Sequence, residues 1–291
     1  MKKTGSVIGF DLGGTKSAIG RFASETWELQ NYDRLPTDTS RGFEGVLDDS
    51  VALIEKFLTR DTVGIGLGIP GLLRQPEGHL IHAPNIPGGT DMPLRQMLQE
   101  KFDLPVFVEN DVRCFTLSEA QLGAGKGKKV VVGITLGTGV GGGIVIDGKI
   151  FHGHHGYAGE IGHMLLKPGE PPYATKDMRG DVEQFISGTA MGKRCEEAKS
   201  PEDYLKDGGA CAFMQPSLFK EFAWTVASLT YLLDPSIIVI GGSAGRALKP
   251  HLKAVEKELK QWLLPHTPMP ELAIAKLEHP GTLGAALLTI V

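Results

Sequence analysis

The sequence predicts an α/β protein built as two domains. Short apolar runs that end in glycine alternate with stretches whose apolar residues recur at helical spacing. The 291 residues amount to a length that usually means two compact domains, with one large domain the other option. VIGFDLGGT, starting at Val7, comes back as VVGITLGTG, starting at Val131, 124 residues later. That interval is too long for a solenoid repeat and suits two similar domains facing each other.

Taken in order, Ser6 to Leu12 reads as a strand and Lys16 to Phe22 as its hairpin partner, with Gly13 and Gly14 in the turn. A third strand follows around Trp27 to Leu35. Phe43, Val46, Leu47, Ile54, Phe57 and Leu58 have helical spacing, with Ser40 as the cap. Val63 to Ile69 is a Gly-rich strand, Pro93 opens a helix ending near Phe102, and Val106 to Val108 is a strand. A helix then runs from Asp111 to Gln121. In the second half, Val130 to Leu136 and Gly141 to Ile146 flank a glycine turn, and Asp147-Gly148 turns the chain into Lys149 to His152. Leu218 to Leu233 is a long helix stopped by Asp234-Pro235, and Ile237 to Ile240 is a strand ending in Gly241-Gly242. A helix over Leu248 to Leu263, a strand over Leu272 to Lys276 and a terminal helix after Gly281 complete the chain.

The composition narrows the function. Net charge is −4 and the longest basic run is KGKK at Lys126 to Lys129, so nothing favours nucleic acid or an anionic membrane. No stretch has the roughly 20 apolar residues a membrane span needs, and the N-terminus lacks a signal-peptide core. Three scattered cysteines, Cys114, Cys195 and Cys211, argue against a disulfide framework and fit a reducing cytosol.

The 39 glycines cluster between apolar runs, which suggests tight turns and close backbone approach to a ligand. Phosphate binding needs inward backbone N–H groups with no Cβ in the way. DLGGTK and TLGTGVGGG both offer this. Asp11 is placed to hold Mg²⁺, directly or through water, and Thr15, Thr135 and Thr138 to donate hydroxyl hydrogen bonds to phosphate. GAGKGKK is no P-loop, because no Ser or Thr follows its lysine, and no G-x-G-x-x-G stands in a convincing βαβ unit. Asp111 directly follows a strand end, where it is either a helix cap or a base. Glu160 and His163 are either a surface pair on one helical face or ligand-reading groups. His152, His154, His155 and His163 crowd one stretch, but no second ligand motif follows, and the balance is against a metal there.

These motifs resemble the ROK family of bacterial sugar kinases and sugar-responsive repressors. The resemblance runs through GFDLGGTKSAIG, GIPGLL at Gly68, APNIPG at Ala83, VENDVRC at Val108, GITLGTGVGGGIVIDGKI at Gly133, GYAGEIGHM at Gly156, VEQFISG at Val182 and VIGG at Val239. It implies an actin-like, ribonuclease-H-like pair of domains around a central cleft. The small domain is expected over 1–112, completed by a helix over 280–291, and the large one over 113–279. It also implies ATP- and Mg²⁺-dependent phosphorylation of a hexose, glucose at the 6-hydroxyl first, with Asp111 as general base. Fructose, mannose and N-acetylated hexosamines stay open. Substrate contacts are expected from Asn85, Asn110, Asp111, Glu160, His163 and Glu183. Nucleotide contacts are expected from Gly13, Gly14, Thr15, Lys16, Thr135, Gly137, Thr138, Gly139, Gly241 and Gly242. A cytoplasmic homodimer is implied as well. The family's repressors carry a helix-turn-helix domain ahead of this region, and here the first glycine turn comes soon after Met1, which favours the enzyme. One departure stands out. Family kinases commonly carry a zinc site with CxCGxxGCxE after the GH motif; here the stretch reads LLKPGEPPYATKDMRGDVEQFISG, without cysteine, so no structural zinc is expected. Glu183 keeps the place of the motif's glutamate, with Pro171 and Pro172 as candidates for stiffening its loop.

Overall fold

The computed structural model describes residues 4–170, 173 and 178–290, so Pro171 and Pro172 lie outside the described residues. The elements in chain order are β1 (Ser6–Leu12), β2 (Lys16–Ala23), β3 (Leu29–Pro36), α1 (Gly42–Phe57), β4 (Thr62–Ile69), β5 (Leu72–Arg74), β6 (His79–His82), β7 (Thr90–Met92), α2 (Leu94–Phe102), β8 (Val106–Asn110) and α3 (Asp111–Gln121). There follow β9 (Val130–Leu136), β10 (Val140–Ile146), β11 (Lys149–Ile150), α4 (Val182–Ile186), α5 (Gly188–Arg194), α6 (Pro201–Tyr204), α7 (Gln215–Leu233), β12 (Ile237–Gly241), α8 (Ser243–Ala247), α9 (Leu252–Leu259), β13 (Glu271–Ile274) and α10 (Pro280–Leu287).

The chain divides into two compact units. The first comprises residues 1–119, 149–158 and 277–291, the second 120–148 and 159–276. These bounds differ from the division drawn at residue 112 from sequence. Most of α3 stays with β8, because its buried face, including Cys114 and Leu117, packs inside the first unit. A short return over 149–158 joins it.

The first unit is built on a five-stranded sheet in the order β3-β2-β1-β4-β8. β1 and β2 pair antiparallel, whereas β1, β4 and β8 run parallel. In the second unit the sheet runs β10-β9-β12-β13, with β9 and β10 antiparallel and β9, β12 and β13 parallel. Each unit thus opens on an antiparallel hairpin and adds parallel strands beside it, the arrangement that the repeated VIGFDLGGT and VVGITLGTG segments suggested. Parallel strands covered on both faces read as continuous apolar runs, and β12 (IIVIG) is buried throughout.

Not every glycine serves a turn. Helix α10 lies against β1 and β4. A Cβ on Gly9 would collide with the Thr282 carbonyl oxygen, and one on Gly66 with that of Ala285. Those glycines let the helix backbone sit directly on the strands, a packing role that composition alone did not reveal.

Three further expectations change. Cys195 and Cys211 are disulfide-bonded, with Cα atoms 5.7 Å apart, so the cysteines are not all free thiols; Cys114 is free and buried. The 16-residue separation hid this, since α6 and the glycine turn after it fold the segment back on itself. The helix expected over 248–263 is cut short, opening as a 3-10 turn at Lys249–His251 that holds Pro250 and continuing as α9 only to Leu259. Ser40 does not cap α1; Asp38 caps a 3-10 turn just before it. Among the described residues, no helix is long and apolar enough to cross a membrane.

Candidate active site

In the first unit the parallel register brings acidic and amide side chains to the carboxyl ends of three strands. Asp11 of β1 pairs with Gly68 of β4, and Gly68 with Glu109 of β8. One step further on, Ile69 pairs with Asn110, and Asp111 follows as the first residue of α3. Carboxyl ends of parallel strands are where α/β folds open to ligands. Burial first, and then the nearby Asp111 charge, push the Asp11 carboxyl up from 3.8 to about 7.

The β8–α3 junction settles what Asn110 and Asp111 do locally. Asn110 is the cap: its Oδ1 accepts the backbone N–H groups of Val112 at 3.0 Å and Arg113 at 3.2 Å. Its amide donates to the Gly71 carbonyl at 3.3 Å. Asp111 accepts the adjacent N–H of Val112 through Oδ1 at 2.9 Å. Glu109, which sequence reasoning missed, is 2% exposed. It accepts from the Asn110 N–H at 2.7 Å, the Arg113 guanidinium at 3.4 Å and the Gln75 amide at 3.3 Å. His152 meets its other side, and Arg113 donates to the Gly156 carbonyl. His152 is therefore engaged with a carboxylate. Among the described residues no group of three or more His, Cys, Asp and Glu side chains is arranged to hold a metal.

The first glycine turn closes with Gly13 N–H donating to the Lys16 carbonyl at 3.1 Å. Gly14, Thr15 and Lys16 are exposed. Thr15 accepts the Thr37 N–H through its carbonyl at 2.9 Å. A Cβ on Gly14 would lie 3.6 Å from the Asn85 Cβ, so Asn85 belongs beside this turn.

In the second unit Thr135 sits between Gly141 of β10 and Gly241 of β12. The turn that follows is closed by Gly137 N–H donating to the Gly139 carbonyl at 3.0 Å. It is tied to α5, since Gly188 N–H donates to the Gly137 carbonyl at 2.8 Å and the Thr189 hydroxyl to the Thr138 carbonyl at 2.8 Å. Gly242 adopts φ +79 with the Leu136 carbonyl where a Cβ would stand, so β12 ends directly over the root of this turn.

Glu183 lies on α4 and turns toward the same glycines. Its Oε2 accepts the Val140 N–H at 2.8 Å, and its carboxylate occupies the place a Cβ on Gly139 would take. Glu160 precedes a 3-10 turn over Ile161–His163, so the helical-face reading of Glu160 and His163 does not apply. Gly142 and Gly162 let this turn lie directly on β10, against the Gly159 and Val140 carbonyls. His163 Nδ1 stands 3.2 Å from the Asp181 carboxylate. The sequence signals for Glu109 and Asp181 were weak, each being an acid one or two residues from a motif position that drew the attention.

Comparison with known proteins completes the description. Residues 7–291 match the model of the ROK family. The chain is 33% identical over 286 residues to a glucokinase of Halalkalibacterium halodurans, covering 89% of this chain and 86% of that protein. It is 31% identical over 303 residues to an N-acetyl-D-glucosamine kinase of Vibrio atlanticus, covering 97% and 99%. A ROK family glucokinase from Streptomyces griseus, solved in complex with glucose and AMPPNP, superposes with a TM-score of 0.79 at 28% identity, covering 98% of this chain and 99% of that one. With a family match that runs from residue 7 to the last residue and an actin-like ATPase fold shared over nearly its whole length, this chain belongs to the ROK family.

Proposed function

We propose that this ROK sugar kinase transfers the γ-phosphoryl group of ATP to the 6-hydroxyl of glucose, with Asp111 as general base. The observation that carries the reading is the parallel register of β1, β4 and β8, which puts Asp11 at the end of β1 and Asp111 just past the end of β8, with the Asp111 charge adding to the rise of the Asp11 carboxyl. Phosphoryl transfer asks the protein for alignment, charge neutralisation and a base for the hydroxyl proton. Asp111, at the start of α3 and only partly exposed, accepts that proton as the sugar oxygen attacks phosphorus. Magnesium bound with the nucleotide supplies neutralisation of phosphate charge, and Asp11 would hold it, directly or through water. Two nearby carboxylates, one of which raises the pKa of the other, suit a divalent cation.

In this reading the glycine turns around Gly13, Gly14, Thr15 and Lys16, and around Thr135, Gly137, Thr138 and Gly139, grip the phosphates, with Gly241 and Gly242 beside them. Asn85, Asn110, Glu160, His163 and Glu183 read the sugar hydroxyls. The split of these roles between a nucleotide set and a sugar set belongs to the proposal. A cytoplasmic homodimer goes with it, to be checked by light scattering. Glucose is preferred because the Halalkalibacterium relative is a glucokinase at 33% identity. N-acetylglucosamine is the second candidate, because the Vibrio relative at 31% is named for it.

The test is a coupled ADP-release assay across glucose, mannose, fructose and N-acetylglucosamine. Glucose should give the highest kcat/KM. Asp111→Asn should lower kcat by roughly 10²–10⁴-fold, the usual contribution of general base catalysis, with little change in the KM for ATP. Near-normal turnover in that variant would remove Asp111 from the role of base.

A further inference from the structure

His163 and Glu183, both assigned to the sugar by the proposed function, flank a stretch without cysteine. A single buried carboxylate ties them together. Asp181 is 2% exposed. Its Oδ1 accepts the Gln184 N–H at 3.2 Å and so caps α4, the helix that carries Glu183. Its Oδ2 lies 3.2 Å from His163 Nδ1, with the Arg179 guanidinium 3.9 Å away. The backbone on either side is clasped. Leu166 and Lys167 N–H both donate to the Gly180 carbonyl at 2.8 Å, and Val182 N–H to the Met164 carbonyl at 2.9 Å. The Gln184 side chain accepts the Gly180 N–H at 2.8 Å. Gly180 has φ +69 and the Lys167 carbonyl where a Cβ would stand, so the clasp admits no side chain there.

A buried carboxylate needs such partners, since leaving it without them is costly. The hydrogen bond also has a chemical consequence. When Nδ1–H of a neutral imidazole donates to a carboxylate, the tautomer is fixed and Nε2 becomes the acceptor. The His163 side chain remains 56% exposed, so the ring is fixed at one end and open to a ligand at the other. We propose that Asp181 is a positioning residue of the sugar site, fixing the His163 tautomer and the Glu183 helix with one carboxylate. This rests on the reading of His163 and Glu183 as sugar-contacting residues.

Three variants separate this role from plain helix capping. Asp181→Ala removes both bonds, Asp181→Ser keeps a good helix cap but is too short to hold the His163 ring, and Asp181→Asn keeps the cap oxygen but turns an amide donor toward the ring. In the hexokinase assay Asp181→Ala should raise the KM for glucose by roughly tenfold or more, the scale of losing a hydrogen bond to a charged group, and lower kcat, while the KM for ATP stays within about twofold. Asp181→Ser should recover the melting temperature but not the KM for glucose, and so should Asp181→Asn, whose single oxygen serves the cap while its amide donates to Nδ1 and reverses the tautomer. A wild-type KM for glucose in Asp181→Ser or Asp181→Ala overturns the inference. Imidazole ¹⁵N NMR gives an answer that does not depend on activity. Wild-type His163 should show Nδ1–H, lost in Asp181→Ser; the same tautomer in both proteins also overturns it. Absence of hexose turnover in the wild type would defeat the proposed function instead, and the NMR result would still decide the role of Asp181.

Discussion

The carboxyl of Asp11 ionises near pH 7 in the folded protein and near 3.8 in a solvated chain. Between those values the folded state holds a proton that the unfolded state has released. The associated stability is fully present below about pH 3.8 and is lost as pH rises through 7, by at most about 4 kcal/mol. Chemical denaturation of wild type and Asp11→Asn from pH 5 to 8 should show the wild type losing stability relative to the variant across this range. A constant difference between the two would mean that Asp11 ionises like an ordinary carboxyl. Divalent cation and nucleotide, by favouring the ionised form, should shrink the difference, which ties the residue's electrostatics to the role given it above. The sequence marked Asp11 as a chemistry-bearing group because it stands at the end of an apolar strand beside a glycine turn, and Asp111 through the family resemblance, since a residue at a strand-to-helix boundary could equally be a cap. It left Glu109 and Asp181 unseen, because their work depends on partners 43 and 18 residues away, His152 and His163, and such pairings have no local signal.

Elements were legible where periodicity was strong. β1, β4, β9, β12, α1, α3 and α7 were each anticipated to within a few residues. The sheet β5-β6-β7 was not, since strands of three or four residues set among Gln75, Pro76 and Gly78 look like loop. The glycines show the limit most clearly. The same residue type forms the hairpin turns and clears a path for a helix, and only the packed partner tells the two uses apart. Gly66 is the sharper case, because the atom in the way is a helix carbonyl oxygen, which no side-chain rotation can move. Gly66→Ala should therefore cost at least about 1–3 kcal/mol, the usual range for overpacking, read as a lower urea midpoint with an unchanged slope. Gly127→Ala is a poor control because its φ is +80; Gly137→Ala, with open space around it, tests the turn without a clash. Gly137→Ala should leave the urea midpoint nearly unchanged. If Gly66→Ala were equally silent, α10 would not sit as closely on β4 as described.

For the whole molecule, the repeated glycine hairpin foretold two units of like topology, and both sheets follow it. The division between the units was harder to read, since the chain crosses from one to the other at 119, 148, 158 and 276 and composition does not change at those points. The proposed sugar-reading set is Asn85, Asn110, Asp111, Glu160, His163 and Glu183. A ligand that binds only the folded protein stabilises it by mass action, by about 2.7 kcal/mol at a hundred times its Kd. If glucose engages this set, losing Asn110 or Glu183 should abolish most of that stabilisation. Differential scanning calorimetry of wild type, Asn110→Ala and Glu183→Gln, each with and without saturating glucose, makes the comparison. Asn110→Ala also removes the cap of α3, and Glu183→Gln weakens a bond to the Val140 N–H. The quantity to compare is therefore the glucose-induced shift within each variant, not the melting temperature itself. Wild type should shift upward by several degrees and both variants by much less. A full shift in Glu183→Gln alone would confine Glu183 to bracing the Gly139 turn and leave the sugar to the remaining five residues.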